Sequence, residues 1–92
     1  MAETIDEITL NYEEDGQLIV KELDKEILTR GAWTTIVFRY QQWNKKTEDF
    51  GKDLYTIRRY RKVKGNYMPQ SKFNISNREQ AGKIIAALQK WI

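Results

Sequence analysis

Apolar and polar residues alternate with a period of two through most of the first 75 positions, and a helical period appears only at the end of the chain. Ile8, Leu10 and Tyr12 alternate with polar residues, Asp15-Gly16 supplies a turn, and Leu18, Ile19 and Val20 resume the pattern, which predicts a β-hairpin. The continuation to residue 28 is ambiguous, because Ile19, Leu23 and Ile27 fall at i, i+4 and i+8, a spacing that a helix also satisfies. A strand that twists or bulges into Arg30-Gly31 is the preferred reading. Residues 32–43 are dense in β-branched and aromatic side chains and predict a long strand. Ile36, Phe38 and Tyr40 share one face of it, and Trp33, Thr35, Val37, Arg39, Gln41 and Trp43 share the other. A polar loop is expected at 44–51, a strand at 53–64, a turn at Gly65-Asn66 and a short strand at 67–75. Pro69 interrupts that last strand and predicts an edge or a bulge.

The period then changes. Ser76-Asn-Arg-Glu79 reads as a capping box. Ala81, Ile84, Ile85, Leu88, Trp91 and Ile92 follow at i, i+3, i+4, i+7, i+10 and i+11, an apolar stripe on one helix face. Arg78, Lys83, Gln89 and Lys90 occupy the opposite face. Such a stripe either covers one face of the sheet or packs on a second copy of itself. The expected class is α+β: an antiparallel β-sheet of four to five strands followed by one C-terminal α-helix. Ninety-two residues make a single domain, 1–92, with an acidic N-terminal hairpin segment at 1–28 and the core sheet and helix at 32–92.

Charge divides the chain in the same place. Residues 1–28 hold nine acidic and two basic groups, and residues 29–92 hold 14 basic and four acidic ones. The overall charge of +3 hides this asymmetry, which points to a polyanion-binding surface in the second part. The plain alternative is a solvated face that serves solubility. The chain has neither Cys nor His. Disulfides, thiolate zinc sites, cysteine nucleophiles and the commonest general base are therefore excluded. Nothing matches a Gly-rich phosphate loop, a nucleophile elbow or a spaced carboxylate metal site, so neither an enzyme nor a cofactor is expected. No run approaches a membrane span, and the first residues lack the features of a signal peptide. The expected location is the cytoplasm, with nucleoid association compatible with it.

The basic part concentrates in Tyr55-Thr-Ile-Arg-Arg-Tyr-Arg-Lys-Val-Lys64, with five cations and two tyrosines on one predicted strand. Aromatic rings interleaved with Arg and Lys on a sheet suit a single-stranded nucleic acid, whose bases stack while its phosphates meet the cations. An antiparallel sheet with such a strand before the last one, then a capped helix, resembles the Positive Cofactor Four family of transcriptional coactivators, in its bacterial branch. Three segments carry the resemblance, which covers about the last 60 residues. Tyr55-Thr-Ile-Arg58-Arg-Tyr60-Arg61 is similar to the family's Ile-x-Ile-Arg-x-Tyr-Trp strand. Lys72-Phe-Asn-Ile75-Ser-Asn-Arg-Glu79-Gln80 is similar to its approach to the helix. Val37-Phe-Arg-Tyr-Gln-Gln-Trp43 resembles a strand ending in a base-stacking aromatic.

The resemblance implies a homodimer, a curved sheet and a preference for single-stranded DNA over duplex, with RNA as an alternative ligand. It implies a stacking role for Trp43 and phosphate contacts for Arg58 and Lys72. Arg61 stands where the family often carries a stacking Trp. The loop before the basic strand is longer than in the family, the Gly after the matching lysine is absent, and residues 1–28 have no counterpart.

Strand parity adds to the candidate set. Arg58, Tyr60 and Lys62 share a face, and Arg59 and Arg61 point the other way. The nucleic-acid candidates are thus Trp33, Arg39, Trp43, Arg58, Tyr60, Arg61, Lys62 and Lys72; for Trp33 the competing role is core packing. Ile84, Ile85, Leu88 and Trp91 are the dimerisation candidates. The competing function is a protein-interaction domain that uses the acidic segment or the helix stripe and binds no nucleic acid.

Overall fold

A computed structural model of the chain describes residues 2–92. A 3₁₀ turn at Ile5–Glu7 precedes β1 (Tyr12–Glu14), β2 (Gln17–Thr29), β3 (Trp33–Asn44), β4 (Asp49–Phe50), β5 (Leu54–Val63), β6 (Asn66–Ile75) and α1 (Arg78–Gln89). The strands form one curled antiparallel sheet in the order β1-β2-β3-β5-β6, with the two-residue β4 paired to the end of β3. Consecutive long strands are neighbours throughout, so short turns suffice to build it. Two of those turns place a left-handed pair at the tip, Asp15 (φ 50°) with Gly16 (φ 80°) and Lys64 (φ 50°) with Gly65 (φ 84°). Positive φ at both central residues matches the twist of a two-residue hairpin.

The ambiguous 17–29 segment is a strand. It is bulged at Leu23 and Leu28, where the register with β3 shifts. Each bulge admits an extra residue, and this breaks the strict alternation that a regular strand would show. A further bulge lies in β6: Arg59 faces Ser71 and Tyr60 faces Pro69, which leaves Gln70 over. Proline at an edge-strand bulge loses no ladder hydrogen bond.

One face of the sheet carries the core. Ile36 and Phe38 are wholly buried there, with Tyr40, Tyr60 and Tyr67 beside them. Ile8 and Leu10 close it from the N-terminal segment, although neither lies in a strand. That segment crosses the sheet and is tied at both ends. The Tyr67 amide donates to the Ala2 carbonyl (2.8 Å), the Leu10 amide donates to Glu22, and the Glu22 amide donates to the Asn11 side chain (2.8 Å). Between them the Lys25 ammonium donates to the carbonyls of Ile5, Asp6 and Ile8, at 3.3, 3.0 and 2.7 Å. The amide and hydroxyl of Thr4 both donate to Glu7 Oε1, which holds the Glu7 pKa below the usual carboxylate value. The acidic segment is therefore part of the core, and β2 pairs along the length of β3. This corrects the division that confined the core sheet to 32–92.

The opposite face is unevenly covered. Ile75 is buried where α1 departs, whereas Phe73, two residues earlier on the same face, is 52% exposed. α1 rests chiefly on β6 and leaves the rest of this face open. No helix among the described residues is long and apolar enough to cross a membrane.

Candidate nucleic-acid interface

The register between β3 and β5 sets Trp33 opposite Arg61 and Thr35 opposite Arg59, all on the face away from the core. The Arg59 guanidinium carbon lies 4.6 Å from the centre of the Trp33 ring and that of Arg61 lies 5.5 Å from it. Trp33 remains 43% exposed, so its packing is against two cations and not inside the core. Exposed cation–π contacts of this kind contribute about 0.5–1 kcal/mol each. They hold the guanidinium planes beside the indole without neutralising them.

The other face of the same ribbon presents a second set. Arg58 stands directly opposite Lys72, Lys62 lies over the Tyr67 ring at 5.5 Å, and Lys62 and Lys72 are exposed. Strand parity holds: Arg58, Tyr60 and Lys62 do share a face. That face is the core face, however, and Tyr60 is only 6% exposed. Tyr60 is thus a core residue, closed to a stacking base. Burial raises its pKa above the ordinary phenol value, while the neighbouring Arg58 charge pulls the other way. Arg58 is half-buried beside Ile36 on β3, and its Nε is enclosed without a hydrogen-bond partner.

Between residues 54 and 75 the chain has six cations and no carboxylate. Among the described residues the ion pairs are Arg39–Asp53 and Lys83–Glu79, so none of those six is neutralised. Arg39 differs: its guanidinium meets Asp53 at 3.1 Å, and Gln41 donates to the same carboxylate at 2.9 Å. It is exposed but already paired, which weakens its candidacy as a phosphate contact.

Trp43 is half-buried. Its ring meets Phe50 of β4 edge to face at 5.2 Å, and Lys21 lies 5.2 Å over the Phe50 ring. The expected polar loop at 44–51 is therefore a short hairpin, with Asn44 accepting from the amides of Lys46 and Thr47.

The helix stripe divides. Ile84 is half-buried, while Ile85, Leu88, Trp91 and Ile92 are exposed, Trp91 at 77%. The N-cap is Asn77, one residue later than expected: its side chain accepts from the Gln80 amide (2.8 Å), and the Gln80 side chain accepts from the Ser76 amide. Asn caps as well as Ser, and Gln can replace Glu in the reciprocal bond, so the sequence holds two overlapping boxes. Glu79 is left to pair with Lys83 along the helix surface.

Arg59 and Phe50 escaped the sequence reading. The signal for Arg59 was its cross-strand distance to Trp33, which requires the β3–β5 register. Comparisons of the chain with models of known protein families, with curated proteins and with solved structures find no match.

Proposed function

We propose that this chain binds single-stranded nucleic acid, DNA in the first instance and RNA by the same chemistry, through the β5–β6 ribbon and Trp33. The supporting observation is the ribbon itself: six unpaired cations, no carboxylate, and a half-exposed indole with two guanidinium groups beside it. A base stacks on Trp33 or on a guanidinium plane while Arg59 and Arg61 meet the phosphates there, and Lys62, Lys72 and the half-buried Arg58 offer phosphate contacts on the other face of the same ribbon. The resemblance to the Positive Cofactor Four family favours the same ligand, with a role in transcription or DNA maintenance. It also favours a homodimer, and the exposed stripe Ile85, Leu88, Trp91 and Ile92 is the surface on which a second copy would pack.

Fluorescence anisotropy with oligo-dT and with duplex of equal length tests this. The single strand should bind more tightly, with affinity falling by a log–log slope of about 0.7 per phosphate as salt rises. Equal affinity for duplex, or binding indifferent to salt, would remove the proposal. The same helix stripe favours a second reading, an interaction domain that docks an apolar surface of another protein and binds no oligonucleotide at any salt concentration.

A further inference from the structure

Trp33 and Trp43 stand at opposite ends of β3, ten residues apart and on the same face. At about 3.3 Å per residue the two positions are separated by roughly 33 Å along the strand. Both ends are cationic. The far end is a groove of about 610 Å³ at the β3–β4 hairpin, walled by Trp43 and lined by Lys45, Lys46 and Lys52, with no carboxylate in its lining. None of these three lysines forms an ion pair among the described residues. On its other side Trp43 borders a groove where Glu14, Asp15 and Glu48 outnumber Lys45, which lines both grooves, so the balance of charge favours phosphates on the side of Lys46 and Lys52.

Around Val37 and Arg39 this face offers an anion no unpaired cation among the described residues; Lys21, opposite Gln41, belongs to the Trp43 end and lies over the Phe50 ring. Arg39 is occupied by Asp53, and β2 sets Asp24 beside Arg39 and Glu26 beside Val37. On the β5 side the same stretch carries Tyr55 and Ile57, both uncharged.

Resting on the reading of β5–β6 as a strand-binding surface, we infer that the hairpin groove is a second, separate site for the same strand. The protein thereby selects single strands long enough to bridge the two sites. A strand shorter than the span occupies one end. A longer one occupies both, and its second contact forms at the high effective concentration that the first one sets. With stacked nucleotides at about 3.4 Å each, the span corresponds to about ten nucleotides.

Anisotropy titrations with oligo-dT of about 5, 10, 15 and 20 nucleotides measure this directly, since bridging predicts a step of at least about tenfold near the span length. The partner protein is the triple variant Lys45→Ser, Lys46→Ser, Lys52→Ser, whose replaced side chains are all exposed. It should lack the step near the span length, while the ribbon site alone still captures the shortest oligomer. A gradual rise with length in the wild type, or a step that survives in the triple variant, overturns the two-site inference and leaves the ribbon reading standing. Failure of the wild type to bind any oligomer removes both.

Discussion

The guanidinium of Arg59 lies 4.6 Å from the centre of the Trp33 ring, across two neighbouring strands and two residues off the direct register, where Arg61 stands. The contact orders two side chains that alone would sample many rotamers, and it leaves the charge of one and part of the π-face of the other open to solvent. A pre-ordered cation–aromatic pair is what a flexible single strand needs, because the protein's share of the ordering entropy is already spent.

Replacing either partner should therefore matter. Trp33→Ala is expected to weaken oligo-dT binding by about 1–3 kcal/mol. Arg59→Ala should weaken it too, and Arg59→Lys should restore only part of the loss, since an ammonium lacks the planar fork and stacks poorly. Circular dichroism should show the fold unchanged in all three. Wild-type affinity in Arg59→Ala would show that the pair is surface decoration.

Arg58 and Lys72 face each other directly across β5 and β6, and like charges so placed destabilise a sheet. Lys72→Ala should leave the free protein as stable as before or slightly more so, by about 0.2–1 kcal/mol in urea titrations. The same variant should reduce the salt slope of oligomer binding by about 0.7, one phosphate's worth. A loss of stability with an unchanged slope would assign Lys72 to packing.

Tyr60 should behave as core. Tyr60→Ala is expected to cost about 3–5 kcal/mol, the range for a buried aromatic. Its pKa is raised in the folded state by burial, so the neutral phenol is the form the fold favours. The contribution is whole below the ordinary tyrosine pKa of about 10 and is lost as pH rises through the higher folded-state value. Tyr60→Phe should accordingly retain more stability at strongly alkaline pH than the wild type, relative to their difference at neutral pH. Parallel losses for the two proteins across that window would show Tyr60 to be accessible.

Lys25 holds the N-terminal lid through three carbonyls. Lys25→Met keeps most of the apolar stem and removes the donor, which should cost about 1–3 kcal/mol. Amide exchange should rise first in residues 5–10. Unchanged protection there would mean that Ile8 and Leu10 alone fix the lid.

The helix stripe supplies the assembly prediction. Leu88 is exposed in the single chain, so Leu88→Asp should leave a monomer's fold intact and dissociate a dimer. Sedimentation equilibrium of both proteins at micromolar concentration decides it. A monomeric wild type that still binds oligo-dT tightly would take the dimer out of the mechanism.

The strand segments, the turn at Asp15-Gly16, the irregularity at Pro69 and the C-terminal helix were legible in the chain, because each rests on local chemistry, while the turn expected at Gly65-Asn66 falls one residue earlier, at Lys64-Gly65. Alternation orients neighbours, Gly admits positive φ, Pro lacks a donor and Asn caps a helix end. The concentration of charge on one strand was equally plain. The sequence could also divide Arg58, Tyr60 and Lys62 from Arg59 and Arg61. It had no means to say which of the two sets faces the core.

That choice belongs to the tertiary structure. Tyr60 is buried because Ile8 and Leu10, some fifty residues away in the chain, close over its side of the sheet and not over the side of Trp33. Arg39 is neutralised and Arg59 is stacked through contacts between separate strands, fixed by register and invisible to any local pattern. Composition and periodicity determined that this protein would be a basic antiparallel sheet with one amphipathic helix. Long-range burial decided which cations remain free, since only packing determines where apolar area leaves water and where charge stays in it.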